Sequence, residues 1–346
     1  MTIRITWKRI VLALSGIVAL ALAVGWSGAV NVAASSGHWA ITDWFLHWVM
    51  RNSVGTRSAL QSPQAAADPQ GLVSAAGHFA ASCAACHGAP GMRPRAVFQA
   101  ATPPAPDLAR TAGEWSDREL FWIIDHGVKF SGMPAWPARD RPDEIRRMVA
   151  FVRRLPTMTP AEYAGLTGGV AGIAGAPQFE ACAGCHGADG RGRRQRDIPI
   201  LGGQNGGYLE AALRAYRDGH RESGVMANAA ALLDDAAVAK LAKRFAAMPG
   251  LGSARNAADA DAERIVRLGL PDRQLPACAS CHAPGKPYPV LAGQKVSYLA
   301  ARLSQMRSGD EKVDARRSQE TMPVIARRIP GGMIDRLAAY LGTQAE

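Results

Sequence analysis

The six cysteines constrain this chain more than any other feature of its 346-residue sequence. They form three Cys-x-x-Cys-His motifs, at 83–87, 182–186 and 278–282, and no cysteine lies outside them. In each motif the two thiols are one helical turn apart, and a histidine follows directly. Because the motif recurs at intervals of 99 and 96 residues, the sequence predicts three similar units in tandem.

The Cys-x-x-Cys-His spacing is the attachment motif of c-type haem. Both thiols can form thioethers with the haem vinyl groups, and the histidine then lies beneath the iron. Structural zinc would need two ligand pairs in one small module, and a thioredoxin-like site needs one Cys-x-x-Cys in a βαβ context. The sequence therefore predicts three covalent haem c groups. Their attachment cysteines and proximal histidines are Cys83, Cys86 and His87, then Cys182, Cys185 and His186, then Cys278, Cys281 and His282.

One methionine downstream of each motif is predicted to be the sixth iron ligand, since His/Met ligation is usual where haem only transfers electrons. Met226 and Met322 each follow their histidine by 40 residues, and Met133 follows its histidine by 46. A proline follows Met133 and Met322, which favours a loop over a helix interior. His126 and His220 are rival ligands, and the alternative for both is a surface or core position.

The N-terminus predicts export and membrane anchoring. Basic residues precede an uncharged stretch, 10–34, which would span roughly 37 Å as a helix and could cross a bilayer. A signal peptide cleaved near 32–34 is the alternative. The tryptophan-rich segment 38–50 predicts a short helix at the outer membrane surface, or else a core helix of the first soluble unit. Residues 52–70 are predicted to form a polar linker.

The second and third motifs are followed by similar segments, which read PILGGQNGGYLEAAL from 199 and PVLAGQKVSYLAARL from 289. Both fit PxLxGQxxxYLxxxL, in which Gly-Gln forms a turn before an amphipathic helix. A helix is also predicted before the first motif, over 70–82, and at the end of each unit, over 142–154, 234–247 and 333–341.

These units resemble class I cytochrome c domains. Units two and three, at 174–346, resemble the dihaem cytochrome c4 family through the haem motif, the PxLxGQxxxYL segment and the downstream methionine. Unit one resembles monohaem class I domains through GMPAW at 132–136 and APDL at 105–108. The resemblance implies that a proline carbonyl accepts a hydrogen bond from each proximal histidine, and the matching prolines are Pro106, Pro199 and Pro289. The third motif departs from the pattern, because Ala283 replaces the usual glycine, and a charged insertion at 308–319 precedes Met322.

The implied fold is all-α, with three class I cytochrome c domains in tandem behind a transmembrane helix. Units two and three are expected to pack haem to haem, and unit one to swing on a Gly- and Ala-rich linker at 157–176. The predicted segments are an anchor at 1–36, an interfacial helix and linker at 37–68, and cytochrome domains at 69–160, 161–252 and 253–346.

The resemblance implies a non-enzymatic electron carrier in the periplasm, anchored to the inner membrane, or secreted if the N-terminal segment is cleaved. Its expected partners are redox proteins: a quinol-oxidising complex, a dehydrogenase or a terminal oxidase. One alternative is the cytochrome subunit of a membrane-bound periplasmic dehydrogenase, and another is a haem enzyme or gas sensor with one open iron.

The formal charge of +11 is spread over all units without a basic block, so nucleic acid is not a predicted partner. The densest basic cluster, at 191–196, could steer an acidic redox partner or form a solvated loop.

Overall fold

The computed structural model describes residues 6–61, 71–138, 140–169, 178–252, 258–283, 285–308 and 320–342. These residues form helices joined by turns, and their only β-pairing is three isolated bridges. The predicted all-α fold class is therefore confirmed. The predicted boundaries of the five segments stay predictions.

The first helix, α1 (Trp7–Trp26), is apolar and fully exposed. Its mean hydropathy is 2.1, and its 20 residues extend about 30 Å, so it is a candidate membrane span by length and composition.

The second helix, α2 (Ala40–Leu60), is longer than the sequence predicted. The expectation of a polar linker was wrong for residues 52–60, which are helical; residues 62–70 lie outside the described part of the chain. In the second half of α2, Val54 and Ser58 are buried, as in a core helix. In the first half, Trp44 and Trp48 are exposed and stack on each other. The segment 38–50 therefore does not pack as a core helix among the described residues, and its position at a membrane surface stays a prediction.

Unit one contains the seven helices α3 (Leu72–His78), α4 (Ala84–His87), α5 (Ala96–Gln99), α6 (Leu108–Thr111), α7 (Asp117–His126), α8 (Pro142–Arg154) and α9 (Pro160–Thr167). A capping box between Ser116 and Glu119 starts α7, and a proline in the first turn starts α8. Phe79 and Phe151 meet in the core with ring centroids 5.2 Å apart. The predicted helix 142–154 is confirmed.

The linker predicted at 157–176 also contains structure. The helix α9 begins after a second capping box and buries Tyr163 in the core of unit one. Arg193, from the predicted basic cluster, donates hydrogen bonds to the carbonyls of Leu166 and Gly165 in α9 and of Gly184 in unit two. The expectation of a swinging first unit was therefore wrong, because side-chain bonds hold the two units together; residues 170–177 are outside the described residues.

Units two and three repeat one arrangement. In unit two the helices are α10 (Gln178–His186), α11 (Gly206–Arg217), α12 (Gly224–Ala230) and α13 (Asp235–Ala246). In unit three they are α14 (Ala260–Leu268), α15 (Cys278–Cys281), α16 (Val296–Ser308), α17 (Thr321–Arg328) and α18 (Met333–Leu341). The helices predicted over 234–247 and 333–341 are confirmed, while most of the charged insertion, 309–319, lies outside the described residues.

Candidate haem sites

Each Cys-x-x-Cys-His motif lies at a helical turn. The second motif ends α10, the third forms α15, and the first joins a π-helical turn (Phe79–Cys83) to α4. All six thiols are free and partly buried. Burial, and then the neighbouring Cys86, raise the pKa of the Cys83 thiol to about 12. Burial likewise raises the pKa of Cys182 and of Cys185 to about 11. Such neutral thiols are unlike the low-pKa thiolates of redox-active cysteine sites.

Two of the three proximal histidines make the hydrogen bond that the resemblance implied. The Nδ1 atom of His87 lies 2.8 Å from the Pro106 carbonyl, and that of His282 lies 2.8 Å from the Pro289 carbonyl. Because a carbonyl can only accept, Nδ1 must carry the proton in both rings. Nε2 is then the unprotonated nitrogen, which is the one able to bind iron.

His186 differs from the other two. Its ring is 8% exposed, and its Nδ1 has no hydrogen-bond partner among the described residues. Burial lowers its pKa to about 4, although the nearby Pro199 carbonyl acts in the opposite direction. The Pro199 carbonyl acts on this ring but lies outside strict hydrogen-bond geometry, so the implied bond stays a prediction for the second unit.

The three predicted methionine ligands lie in different local structures. Met133 is in an irregular loop, where its carbonyl accepts from Val128. Met226 is in the first turn of α12, and Met322 is in the first turn of α17. The loop expected around Met322 was wrong, since a proline in the first helical turn needs no hydrogen-bond partner. Ligation by all three methionines stays a prediction.

The rival histidines are both exposed. His126 stacks on Trp122, with ring centroids 4.7 Å apart, and its Nδ1 is bonded to the Trp122 carbonyl. His220 lies at an exposed turn after α11. Both positions agree with the surface alternative.

One continuous cavity contains the predicted iron-binding residues of both C-terminal units. Its wall includes Cys182, Cys185, His186 and Met226 from unit two, and Cys278, Cys281, His282 and Met322 from unit three. Apolar side chains such as Leu209, Phe245 and Leu299 form much of the remaining wall. Paired thiols, an imidazole and a thioether in an apolar cavity are the donor set that haem c requires, so the residues present fit this cofactor.

Two glutamines join units two and three by a reciprocal exchange. Gln204 accepts from the Val290 N–H at 2.7 Å and donates to the Val290 carbonyl at 3.1 Å. Gln294 accepts from the Ile200 N–H at 2.9 Å and donates to the Ile200 carbonyl at 3.0 Å. These are the glutamines of the repeated Gly-Gln dipeptide. The sequence pattern predicted only a turn at this dipeptide. Their matching positions in both copies were the available signal for an interface between the units.

Lys295 adds a further contact from unit three. Its Nζ donates to three carbonyls of the loop after the second haem motif, those of Gly192, Gln195 and Ile198. The residue is 3% exposed, and burial lowers its pKa to about 8. Three acceptors use all three N–H groups of the ammonium ion, which compensates for its burial.

Arginines place positive charge in the cavity wall, among them Arg221 and Arg302. Arg221 donates to the Tyr208 hydroxyl at 3.2 Å and lies over the ring of Tyr216. Arg302 donates to the Tyr298 hydroxyl at 3.4 Å. Burial alone would raise the pKa of Tyr298, but the two guanidinium groups lower it to about 8. These arginines would hold the acidic propionate groups of bound haem, and the sequence analysis did not single them out.

Comparisons with known proteins find similarity to cytochromes c. Residues 72–152 match the family model "Cytochrome C oxidase, cbb3-type, subunit III", and residues 173–267 match the model "Cytochrome c". A "Thiosulfate dehydrogenase electron acceptor" of Stutzerimonas stutzeri strain A1501 is 34% identical over 173 residues, which cover 47% of this chain and 79% of that protein. Cytochrome c4 of Pseudomonas aeruginosa strain PAO1 is 32% identical over 188 residues, covering 51% and 92%. Among solved structures, cytochrome c4 of Acidithiobacillus ferrooxidans is 33% identical with a TM-score of 0.40, covering 46% of this chain and 96% of that one.

Proposed function

The chain belongs to the multihaem class I cytochromes c, which transfer electrons, and on this premise we propose that it is an exported, membrane-anchored carrier with three His/Met haems in series. The shared cavity is the observation that carries the proposal, because it brings the motifs of units two and three into one space. Bound haem c supplies a one-electron ferric/ferrous couple.

The residues of the chain have distinct roles in this proposal. The cysteine pairs would attach each haem covalently, and the histidine and methionine would hold its iron. Carbonyls of Pro106 and Pro289 orient two of the imidazoles. The apolar walls exclude water, and an iron held by both side chains would not bind oxygen or peroxide.

Unit one would be the membrane-proximal end of the series. Arg51 of α2 forms an ion pair with Glu114 at 2.7 Å and lies over the Trp115 ring, so the helix that follows the anchor is fastened to unit one. Lys8 and Arg9 flank the apolar helix on its N-terminal side, which favours a cytoplasmic N-terminus and an exported remainder. Electrons would then pass along the chain between the membrane face and unit three.

The proposal is tested on the exported, haem-loaded protein. We expect three haems per chain, no spectral change of the reduced protein with carbon monoxide, and sedimentation with membranes. Replacing residues 1–34 by a cleavable signal peptide should release the protein from the membrane without loss of haem. Carbon monoxide binding by the unaltered protein would contradict three saturated irons, and fewer than three haems would contradict the repeat.

Met226→Ala tests the one predicted methionine ligand that no proline follows, and Met148→Ala is its control, because Met148 is 2% exposed in the core of unit one. Met226→Ala should open one haem to carbon monoxide, whereas Met148→Ala should lower stability and leave all three irons closed. An unchanged spectrum for Met226→Ala would remove Met226 from the ligand set.

A second candidate function concerns the donor. The relatives from Stutzerimonas stutzeri and Thiomonas intermedia, 34% and 31% identical, are both named electron acceptors of thiosulfate dehydrogenase. This chain could accept electrons from a periplasmic dehydrogenase in the same way. Stopped-flow reduction by a purified thiosulfate dehydrogenase with thiosulfate, compared with reduction by a quinol-oxidising complex, distinguishes the two donors. Faster reduction by the quinol-oxidising complex would reject the dehydrogenase.

A further inference from the structure

A buried carboxylate of unit one reaches the turn that carries Met226 in unit two. Glu144 lies in the first turn of α8 and is 6% exposed. Its Oε1 atom accepts from the Ser223 hydroxyl at 2.6 Å, and its Oε2 atom accepts from the Gly224 N–H at 2.7 Å. Both bonds cross between units, joining residues about 80 positions apart in sequence.

The Ser223 hydroxyl also holds the backbone of Met226. Ser223 is the N-cap of α12, and its Oγ accepts from the Met226 N–H at 3.1 Å. Because the Ser223 hydroxyl donates its hydrogen bond to Glu144, its oxygen lone pairs are left to accept from the Met226 N–H. The carboxylate thus fixes the orientation of the cap and, through it, the first turn of α12.

The same carboxylate binds the loop that carries Met133. The indole Nε1 of Trp136 donates to Glu144 Oε2 at 3.3 Å. Trp136 follows Met133 by three residues and is 7% exposed. Its ring also closes on Gly224 so tightly that a Cβ there would lie 2.5 Å from Nε1. The loop that carries Met133 and the helical turn that carries Met226 therefore meet at one side chain.

Arg141 completes the set of partners. Its Nη1 lies 2.9 Å from Glu144 Oε1 and donates to the Glu222 carbonyl at 3.0 Å. All four partners of the carboxylate are donors: a hydroxyl, a backbone amide, an indole and a guanidinium. A neutral amide at this position would turn its NH₂ group toward donors, so only a carboxylate satisfies the arrangement.

We propose that Glu144 is a positioning residue, which holds the first turn of α12 through Ser223 and thereby keeps Met226 on the second haem iron. Met226 can then bind the second haem iron only while unit one is packed against unit two. This inference rests on the proposed function in one respect, that Met226 is an iron ligand.

The test uses the haem-loaded full chain with Glu144→Gln and Ser223→Ala. In both variants we expect three haems per chain. In each variant, one of the three haems should lose the charge-transfer band of methionine-ligated ferric haem and should bind carbon monoxide when reduced. The unaltered protein should bind none. Ser223→Thr keeps the hydroxyl and should restore the original spectrum.

Asp234→Ala is the matched control. Asp234 is the exposed N-cap of α13 in the same unit, and its side chain accepts from the Ala237 N–H. This variant loses a cap of the same kind without touching Met226, so its irons should stay closed. An open iron in Asp234→Ala would mean that any loss of stability in unit two releases the ligand, and it would overturn the role of Glu144.

Two failures are distinguishable. If Met226→Ala leaves the spectrum unchanged, Met226 is not a ligand and the proposed function fails at this haem. If Met226→Ala opens the iron while Glu144→Gln and Ser223→Ala leave it closed, the ligand assignment stands and the positioning role is wrong. If Glu144→Gln fails to fold, the carbon monoxide spectrum of Ser223→Ala alone decides whether the positioning role is right.

Discussion

Replacing Gln294 by methionine should destabilise the interface between units two and three. The side chain is 4% exposed, and two of its hydrogen bonds cross to the backbone of Ile200, which is 3% exposed. A third bond stays within unit three, where Oε1 accepts from the Lys295 N–H at 3.0 Å. Gln294→Met keeps the length of the side chain but leaves the buried N–H and C=O of Ile200 without a partner across the interface. At about 1–3 kcal/mol for each unsatisfied group, the expected loss is about 2–6 kcal/mol.

Guanidinium unfolding of the haem-loaded protein, followed by circular dichroism, measures this loss. Gln178→Met is the control, because Gln178 is exposed at the start of α10, and its replacement should change stability by less than about 0.5 kcal/mol. Unfolding of the two variants at the same denaturant concentration and with the same slope would contradict the expected loss of stability in Gln294→Met. That result would mean that water or a backbone shift satisfies Ile200 once the glutamine is gone.

Three other changes test other parts of the structure. Lys295→Met leaves three carbonyls without their donor and, at about 1–3 kcal/mol for each, should cost about 3 kcal/mol or more in the same unfolding measurement, whereas Lys240→Met on the surface of α13 should cost almost nothing. Gly224→Ala drives a Cβ into the Trp136 indole and should cost about 1–3 kcal/mol; unchanged stability would mean that the two loops separate freely. Asp143 has a folded pKa well below its ordinary value of 3.8, because hydrogen bonds and charge from neighbouring arginines outweigh burial, so its contribution is present above that pH and is lost as the pH falls below it. Asp143→Asn should therefore weaken the acid dependence of unfolding below about pH 4, and an unaltered acid limb would contradict this assignment.

The helices and the haem motifs were largely predictable because their signals are local. The terminal helices of all three units follow from hydrophobic periodicity, and the structure places them within one residue of the expected ends. Boundaries near polar sequence were less predictable. The segment 52–60 is polar enough to resemble a linker, but Val54 and Ser58 become buried once α7 packs beside them. Tertiary burial overrides a weak local preference in such a segment.

Contacts between the units were not predictable. Glu144 has the pattern of an ordinary first-turn glutamate, and Gln204 and Gln294 have the pattern of turn residues. Their partners lie about 80 to 94 residues away in sequence, and no periodicity connects positions so far apart. The proximal histidines were more predictable, since the family resemblance implied a proline carbonyl beside each of them and two of the three hydrogen bonds are formed with short distances.

By itself, the sequence determined the cofactor chemistry and the repeat. The cofactor was predictable because attachment of haem c depends on residues within five consecutive positions. The repeat was predictable because each haem-centred unit depends on helices that its own segment encodes. Only the tertiary structure decided how the three units are joined. A buried carboxylate, a pair of amides and a buried ammonium ion are stable only where partners from another unit complete their hydrogen bonds, and those partners exist only after the chain has folded.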